Sequence, residues 1–382
     1  MRIDPRAPWA NPATRTNGVD RPELTRFALI GAGWRSRIFT DLARALPDQF
    51  ALTGVLVRRP ETARERLGAG TPLVSDIEEL LRPAPDLVIV CVSQDAVPLW
   101  IESLVSRGVP VLAETPPAPD LDGLRSLWER VGSSGLVQVA EQYLRMPENA
   151  AALSVVRSGL LGTPTSVHVS STHGYHAVSM IRGLLGAGTA PVTVRTHRRR
   201  ARVLDPLTPE GWTGSVEPVE RTTTLATIDL DGIGTGLYDF TDNQWWNPLR
   251  TDHLTVRGTH GELRDGTLVR MADPRTVVTS RLHRAATGRG MNLEGADTTS
   301  VSLDGQVLFR SPFEGARFSD DEIAVAQIVA ESGSWARRVT AGADAGPGPY
   351  PLAEACQDQA ISLAIDAAEP ATVRVEAEPW MT

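Results

Sequence analysis

The chain has 382 residues, 41% of them hydrophobic and 22% charged, and a formal net charge of −8. That length suits two cores rather than one, and the composition is that of a globular protein rather than a disordered or fibrous one. The acidic balance argues against nucleic acid as the main partner, and no run approaches the roughly 20 apolar residues that cross a bilayer, so no membrane partner is expected.

Residues Met1–Thr25 are rich in Pro, Asn, Arg and Asp and contain no apolar core. This is not the pattern of a signal peptide; it predicts a disordered leader or a strap over a neighbouring molecule. From Arg26 to Tyr143 the pattern alternates strand and helix. Strands are predicted at Phe27–Ile30, Leu52–Val57, Thr71–Val74, Leu87–Val92, Val109–Ala113 and Leu136–Ala140, with helices at Arg35–Leu46, Glu61–Leu67, Ile77–Leu81, Pro98–Ser106 and Asp120–Val131. Leu87–Val92 is apolar throughout, as a parallel strand covered on both faces must be. Alternating βα units with short loops mean a doubly wound parallel sheet.

After Tyr143 the pattern changes. Helices at Glu148–Ser158 and Ala177–Leu185 flank a strand at Thr165–Ser171. Long β-type runs follow at Pro191–Thr196, Thr222–Asp229, Gly234–Phe240, His253–Gly258, Thr267–Met271, Thr276–Ser280 and Thr299–Phe309, several broken by Asp-Gly turns that signal hairpins. Two late helices, Asp320–Ala341 and Leu352–Ala368, close the chain. The expectation is α/β in the first part and α+β in the second, the latter with a large, mostly antiparallel open sheet. The predicted divisions are a leader over 1–25, a dinucleotide-binding domain over 26–143, and a substrate-binding and oligomerisation domain over 144–382.

The chemistry starts at the first βα turn. Phe27–Ile30 runs into Gly31-Ala-Gly33-Trp34-Arg35-Ser36 and then an amphipathic helix. Gly31 permits the tight turn, Gly33 lets backbone approach a pyrophosphate, and the helix N-terminus offers unpaired N–H groups to the phosphates. Ser36 is small enough for close helix–strand packing. Gly31, Gly33, Trp34, Arg35 and Ser36 are therefore cofactor-binding candidates. An NAD site of this type ends its second strand on an acid that binds the ribose 2′-hydroxyl, whereas this chain reads Val57-Arg58-Arg59-Pro60. Arg58 and Arg59 suit a 2′-phosphate. NADP(H) is the favoured cofactor, with NAD(H) the alternative.

Six segments carry a resemblance: Ala28-Leu-Ile-Gly-Ala-Gly-Trp34, Asp86-Leu-Val-Ile-Val90, Gly108-Val-Pro-Val-Leu-Ala-Glu-Thr-Pro116, Arg157-Ser-Gly-Leu-Leu-Gly162, His173-Gly-Tyr-His176 and Gly258-Thr-His-Gly-Glu262. In this order and spacing the chain resembles the glucose–fructose oxidoreductase, inositol dehydrogenase and MocA (Gfo/Idh/MocA) family of NAD(P)-dependent oxidoreductases, from about Arg26 to the end. The resemblance implies a Rossmann domain, and hydride transfer between nicotinamide and a small carbonyl or carbinol substrate, most naturally a sugar or cyclic polyol derivative. It also implies a homodimer or homotetramer formed through the open sheet.

For the site, the resemblance implies His176 as the acid–base group beside the nicotinamide, at the mouth of the following helix, with Tyr175 and His173 nearby. Glu114 and Thr115 stand at the end of the fifth strand, and Ser93 and Gln94 near the nicotinamide. Tyr143, Arg145, Thr172, His173 and Trp245 are substrate-side candidates. The departures are as informative. Where typical members read Glu-Lys-Pro, this chain reads Glu114-Thr115-Pro116, and Thr172 stands where polyol-oxidising members have an aspartate. All 38 basic residues are arginine, so no lysine anywhere can act as acid, base or Schiff-base former. Two alternatives follow: an imine (C=N) reductase on the same fold, or a sensory protein that keeps the cofactor without turnover. Two cysteines, Cys91 and Cys356, give no disulfide framework, and a reducing cytoplasm is the expected compartment. No metal site is expected, because His173-x-x-His176 lacks companion ligands.

Overall fold

The computed structural model describes residues 23–287, 297–313, 315–368 and 371–381. The leader expected over Met1–Thr25 falls, for residues 1–22, outside them, while Thr25 already belongs to the first strand.

The βα alternation produces β1 (Thr25–Ile30), α1 (Ser36–Ala45), β2 (Phe50–Leu56), α2 (Pro60–Leu67), β3 (Leu73–Val74), α3 (Ile77–Leu81), β4 (Leu87–Val90), α4 (Val97–Val105), β5 (Val111–Ala113), α5 (Leu121–Val131) and β6 (Val137–Val139). All the strand pairs are parallel, in the order β3-β2-β1-β4-β5-β6. Leu87, Val88, Ile89 and Val90 are wholly buried, because helices cover both faces of this sheet. Helix starts follow local chemistry: Asp76 and Asp120 cap α3 and α5 by accepting the N–H of Glu79 and Gly123. Between β1 and β4 the chain order reverses, which opens a crevice at the carboxyl ends of the strands.

The rest of the chain forms α6 (Pro147–Arg157), β7 (Pro164–Ser170), α7 (Gly174–Leu185), β8 (Val192–Val203), a short ribbon of β9 (Leu207–Thr208) and β10 (Gly211–Trp212), β11 (Val219–Leu230) and β12 (Gly234–Thr241). It continues with β13 (His253–Gly258), β14 (Gly261–Arg264), β15 (Thr267–Asp273), β16 (Thr276–Ala286), β17 (Thr298–Leu303), β18 (Gln306–Arg310), α8 (Asp320–Thr340), α9 (Leu352–Ala367) and β19 (Thr372–Val375). Eleven strands make one sheet, β18-β17-β16-β15-β14-β13-β7-β12-β11-β8-β19. Among the described residues, only the β7–β12 pair of this sheet is parallel. The run expected as one strand over Thr299–Phe309 is two, because Asp304 and Gly305 both take positive φ (50° and 80°) and close a tight hairpin. Asp265-Gly266 does the same between β14 and β15.

Along β7, Val167 and Val169 point at α7 and are wholly buried, while His168 on the other face stays half-buried, the two-residue alternation of a sheet with one covered face. Two apolar cores result. Phe27, Leu29, Leu87, Ile89 and Leu112 pack with α1 and α8, whose Ile328, Val329 and Trp335 are buried there. The opposite side chains, Ile30, Val88, Val90 and Ala113, join α4, α5, α7, α9 and the large sheet in a second core. Helix α8 crosses β1 so closely that a Cβ on Gly333 would lie 2.4 Å from the Thr25 side chain. Its start is fixed by a reciprocal cap between Ser319 and Glu322.

Candidate active site

The turn after β1 is built for close approach. Gly31 has φ +109°, and a Cβ there would sit 2.0 Å from the Cys91 carbonyl oxygen, so only glycine closes this turn. Nothing lies within 4 Å of where a Gly33 Cβ would be. No side chain caps the N-terminus of α1; the Arg37 and Ile38 N–H groups turn back onto the Trp34 and Arg35 carbonyls, which leaves those of Arg35 and Ser36 to face an anion, and the Ser36 hydroxyl is buried beside the Cys91 thiol. A turn that a Cβ at Gly31 would fill, with open space at Gly33 and the start of α1 behind it, fits a dinucleotide pyrophosphate. Trp34 stands over it, 81% exposed. Arg58 and Arg59, at the end of β2, are exposed and make no side-chain hydrogen bond or ion pair among the described residues. Ser93 and Gln94 lie exposed on the turn after β4.

Arg35 does not point into solvent. Its guanidinium donates to Glu114 at 3.2 Å and to Asp321 in the first turn of α8 at 3.0 Å. Burial works against its charge, but the two carboxylates more than offset that and hold the guanidinium firmly protonated. Asp321 also accepts from Gln142 Nε2 at 2.9 Å, so one carboxylate ties the glycine turn to the end of β6. Beneath them, burial and the nearby Glu114 charge push the Cys91 thiol up to about 12, which leaves it inert. Thr115 donates its N–H to the Glu114 carboxylate at 3.4 Å.

His176 lies inside the first turn of α7, which begins at Gly174 rather than at Ala177 as expected, so the ring is anchored by helix rather than by a loop. Its Nδ1 sits 2.6 Å from Glu141 Oε2, and the Glu141 side chain is only 1% exposed. A buried carboxylate accepts, so Nδ1 carries the hydrogen and Nε2 is the free nitrogen. The other Glu141 oxygen accepts the Tyr143 N–H at 2.9 Å, which fixes the carboxylate. The Tyr143 ring stacks on His176 at 4.4 Å. Burial raises the Tyr143 hydroxyl above its ordinary range, with Thr172 opposing the shift.

The remaining substrate-side candidates divide. His173 is exposed on one side; it meets Trp245 edge-on at 4.5 Å and lies 5.5 Å from His176, and desolvation by these neighbours, with the His176 charge, lowers its imidazole below the ordinary range. Thr172 is wholly buried, its hydroxyl beside that of Tyr143. Tyr175 is buried behind His176, ring edge at 5.4 Å. Arg145 turns away from the group: it donates to Glu331, to the Glu141 carbonyl and to the Pro349 carbonyl, bracing the end of β6. Sequence reasoning did not single out Glu141, Gln142 or Asp321. The first two follow β6 at the same carboxyl edge as Glu114, which is the signal that marks them; Asp321 reaches the site only through the return of α8. Among the described residues no group of His, Cys, Asp and Glu could hold a metal ion, and no helix is long and apolar enough to cross a membrane.

Comparison with known proteins agrees with this fold. Residues 25–142 match the model of the Gfo/Idh/MocA oxidoreductase family with an NAD-binding Rossmann fold. No curated protein matches the chain in sequence. Solved structures share its fold across nearly the whole length. One is an oxidoreductase from Agrobacterium radiobacter in complex with NAD+, L-tartaric acid and magnesium, 17% identical, covering 91% of this chain and 98% of that one, TM-score 0.61. Another is a myo-inositol dehydrogenase from Corynebacterium glutamicum, 16% identical, covering 93% and 99%, TM-score 0.59. A third is a levoglucosan dehydrogenase in complex with NADH and levoglucosan, 16% identical, covering 92% and 99%, TM-score 0.61. Over residues 25–142 the chain is thus similar to the Gfo/Idh/MocA oxidoreductases, whose family model describes an NAD-binding Rossmann fold.

Proposed function

We propose that the chain is an NADP(H)-dependent oxidoreductase acting on a carbinol or carbonyl carbon of a sugar or cyclic polyol derivative. The observation that carries this reading is the His176–Glu141 pair at the carboxyl edge of the parallel sheet, in the crevice that also holds the glycine cradle. A nicotinamide dinucleotide, when bound, supplies or accepts the hydride. The chain's own residues handle the proton. Glu141 holds Nδ1–H, so Nε2 takes the substrate hydroxyl proton in oxidation or returns one to the carbonyl oxygen in reduction. This replaces the lysine that typical members use, and Thr115 keeps only a hydroxyl at that position. Dehydrogenases of a polyol and of an anhydrosugar among the structural neighbours support the substrate class.

Arg58 and Arg59 support NADP(H): the turn after β2 carries two exposed guanidiniums, neither paired among the described residues, and no carboxylate. NADPH and NADH oxidation by the purified chain, followed against aldoses, ketoses, oxidised inositols and cyclic imines, tests the reading. The expected result is turnover of carbonyl substrates with NADPH preferred. Arg58→Asp is expected to reverse that preference by at least about tenfold, since a carboxylate repels the 2′-phosphate and accepts from a 2′-hydroxyl. Turnover confined to imines would move the chemistry to C=N bonds, which the absence of any lysine favours. NADPH binding without turnover would leave a sensory role.

A further inference from the structure

The loop between β12 and β13 carries Trp245, nearly half exposed, with its ring against His173 and Phe240 at 4.5 and 4.7 Å. It lines a cavity of about 400 Å³ together with Tyr143, the ring that stacks on His176. An exposed loop ordinarily leaves its side chains free to turn, yet this one is pinned on both sides of the indole. Gln244 is buried; it donates to the Ser170 carbonyl at 3.0 Å and accepts the Thr241 N–H at 3.1 Å. Asn247, also buried, donates to the Leu204 carbonyl at 2.8 Å and accepts the Leu249 N–H at 3.0 Å. Asn243 takes a φ of 65°, the left-handed region that asparagine tolerates. Its Nδ2 donates to both oxygens of Asp205, at 2.7 and 2.8 Å.

Asp205 lies between β8 and β9 with its side chain 1% exposed, and its other partner among the described residues is Arg221, whose Nε donates at 2.8 Å. A buried carboxylate is costly unless it is matched; here Arg221 matches the charge and the remaining bonds go to the Trp245 loop, none to a crevice residue. We propose that Asp205 is a positioning residue: through Asn243 it holds Trp245 as a fixed wall of the crevice, against which a closed-ring substrate seats. A ring with equatorial hydroxyls presents a face of C–H groups that a fixed indole covers, whereas an open chain must first give up torsional freedom to lie there. This rests on the function proposed above for the same crevice.

Asn243→Gly tests it without stranding a buried charge: glycine keeps the left-handed backbone, and the Asp205–Arg221 pair stays in place. In near-UV circular dichroism of the full chain without ligand, Asn243→Gly should lose the same aromatic band that Trp245→Ala loses. Kinetics with NADP+ use whichever of myo-inositol and D-glucose turns over faster, with D-glucitol as the open-chain comparison. In Asn243→Gly and in Trp245→Ala, KM for the ring is expected to rise about tenfold with kcat within about threefold, and Trp245→Phe should recover most of that. Trp246→Ala, an indole outside the rings that touch His173, should change neither. The double variant Asn243→Gly with Trp245→Ala should be no worse than Trp245→Ala alone, because the tie acts through the indole. An unmoved KM in Asn243→Gly, an additive double variant, or an equal loss on D-glucitol overturns the inference. No oxidation of either ring by the wild-type chain, with the Trp245 band lost in Asn243→Gly, would keep the clamp and overturn the oxidoreductase reading; oxidation with a KM blind to both residues would do the reverse.

Discussion

His176→Ala is expected to lower kcat by about 10²–10⁴-fold on the best carbonyl substrate, the ordinary worth of a positioned acid–base group. KM and the affinity for the nicotinamide cofactor should change much less, because Gly31 and Arg58 lie on other loops. Glu141→Gln separates the histidine from its support. The amide can donate to Nδ1, which moves the imidazole hydrogen to Nε2 and leaves no acceptor nitrogen facing a substrate hydroxyl. That variant should lose kcat for alcohol oxidation by about 10²-fold or more, and the pH profile of kcat should shift, a change that loss of packing alone would not produce. Steady-state kinetics in both directions, with circular dichroism to confirm folding, checks both. Wild-type kcat in His176→Ala would remove the histidine from the chemistry.

Arg182→Ala is expected to produce the largest loss of stability of any single truncation away from the crevice. Arg182 is 2% exposed and sits between α7 and α9. It pairs with Asp358 and Glu354 and donates to the Gly188 carbonyl, and Asp358 also accepts from the Tyr350 hydroxyl. Burial holds the Asp358 carboxyl up at about 7 even with Arg182 opposing the shift. Without the guanidinium, a wholly buried carboxyl keeps one hydroxyl as its only strong partner. Breaking one half of such a pair costs about 3–5 kcal/mol, which for a chain of this size lowers Tm by roughly 5 °C. The double change Arg182→Met with Asp358→Leu should recover a good part of that, since removing both charges removes the uncompensated one. Thermal unfolding of the three variants decides it; a double variant no better than Arg182→Ala would show that the pair holds geometry as well as charge.

Much of the first sheet is legible in the chain. Apolar runs such as Leu87–Val90, Asp caps and the glycine turn are local signals, and each expected strand there forms, mostly a residue or two shorter or longer. The late sheet is less so. β14 has four residues and β19 pairs only with β8, and nothing in such short segments separates them from loops until partners are present. The site divides in the same way. His176 and Glu114 could be named because sequence neighbours frame them. Glu141 acquires its role only when α7 brings His176 against the end of β6, and Asp321 only when α8 folds back over β1. Arg145 looked like a substrate group because it follows the same strand; in three dimensions it is turned toward Glu331 and Pro349. Residue type and order predict which groups are near an edge, but not which way a long side chain turns.

The return of α8 also orders events in time. The face of the parallel sheet formed by Phe27, Leu29, Leu87 and Ile89 is closed by a helix that follows β6 by about 180 residues. A nascent chain that has completed all six strands of its nucleotide fold still lacks the apolar cover for one side, and Arg35 still lacks Asp321. The nucleotide fold is therefore made before the helix that seals it, and the large antiparallel sheet is assembled while that surface waits.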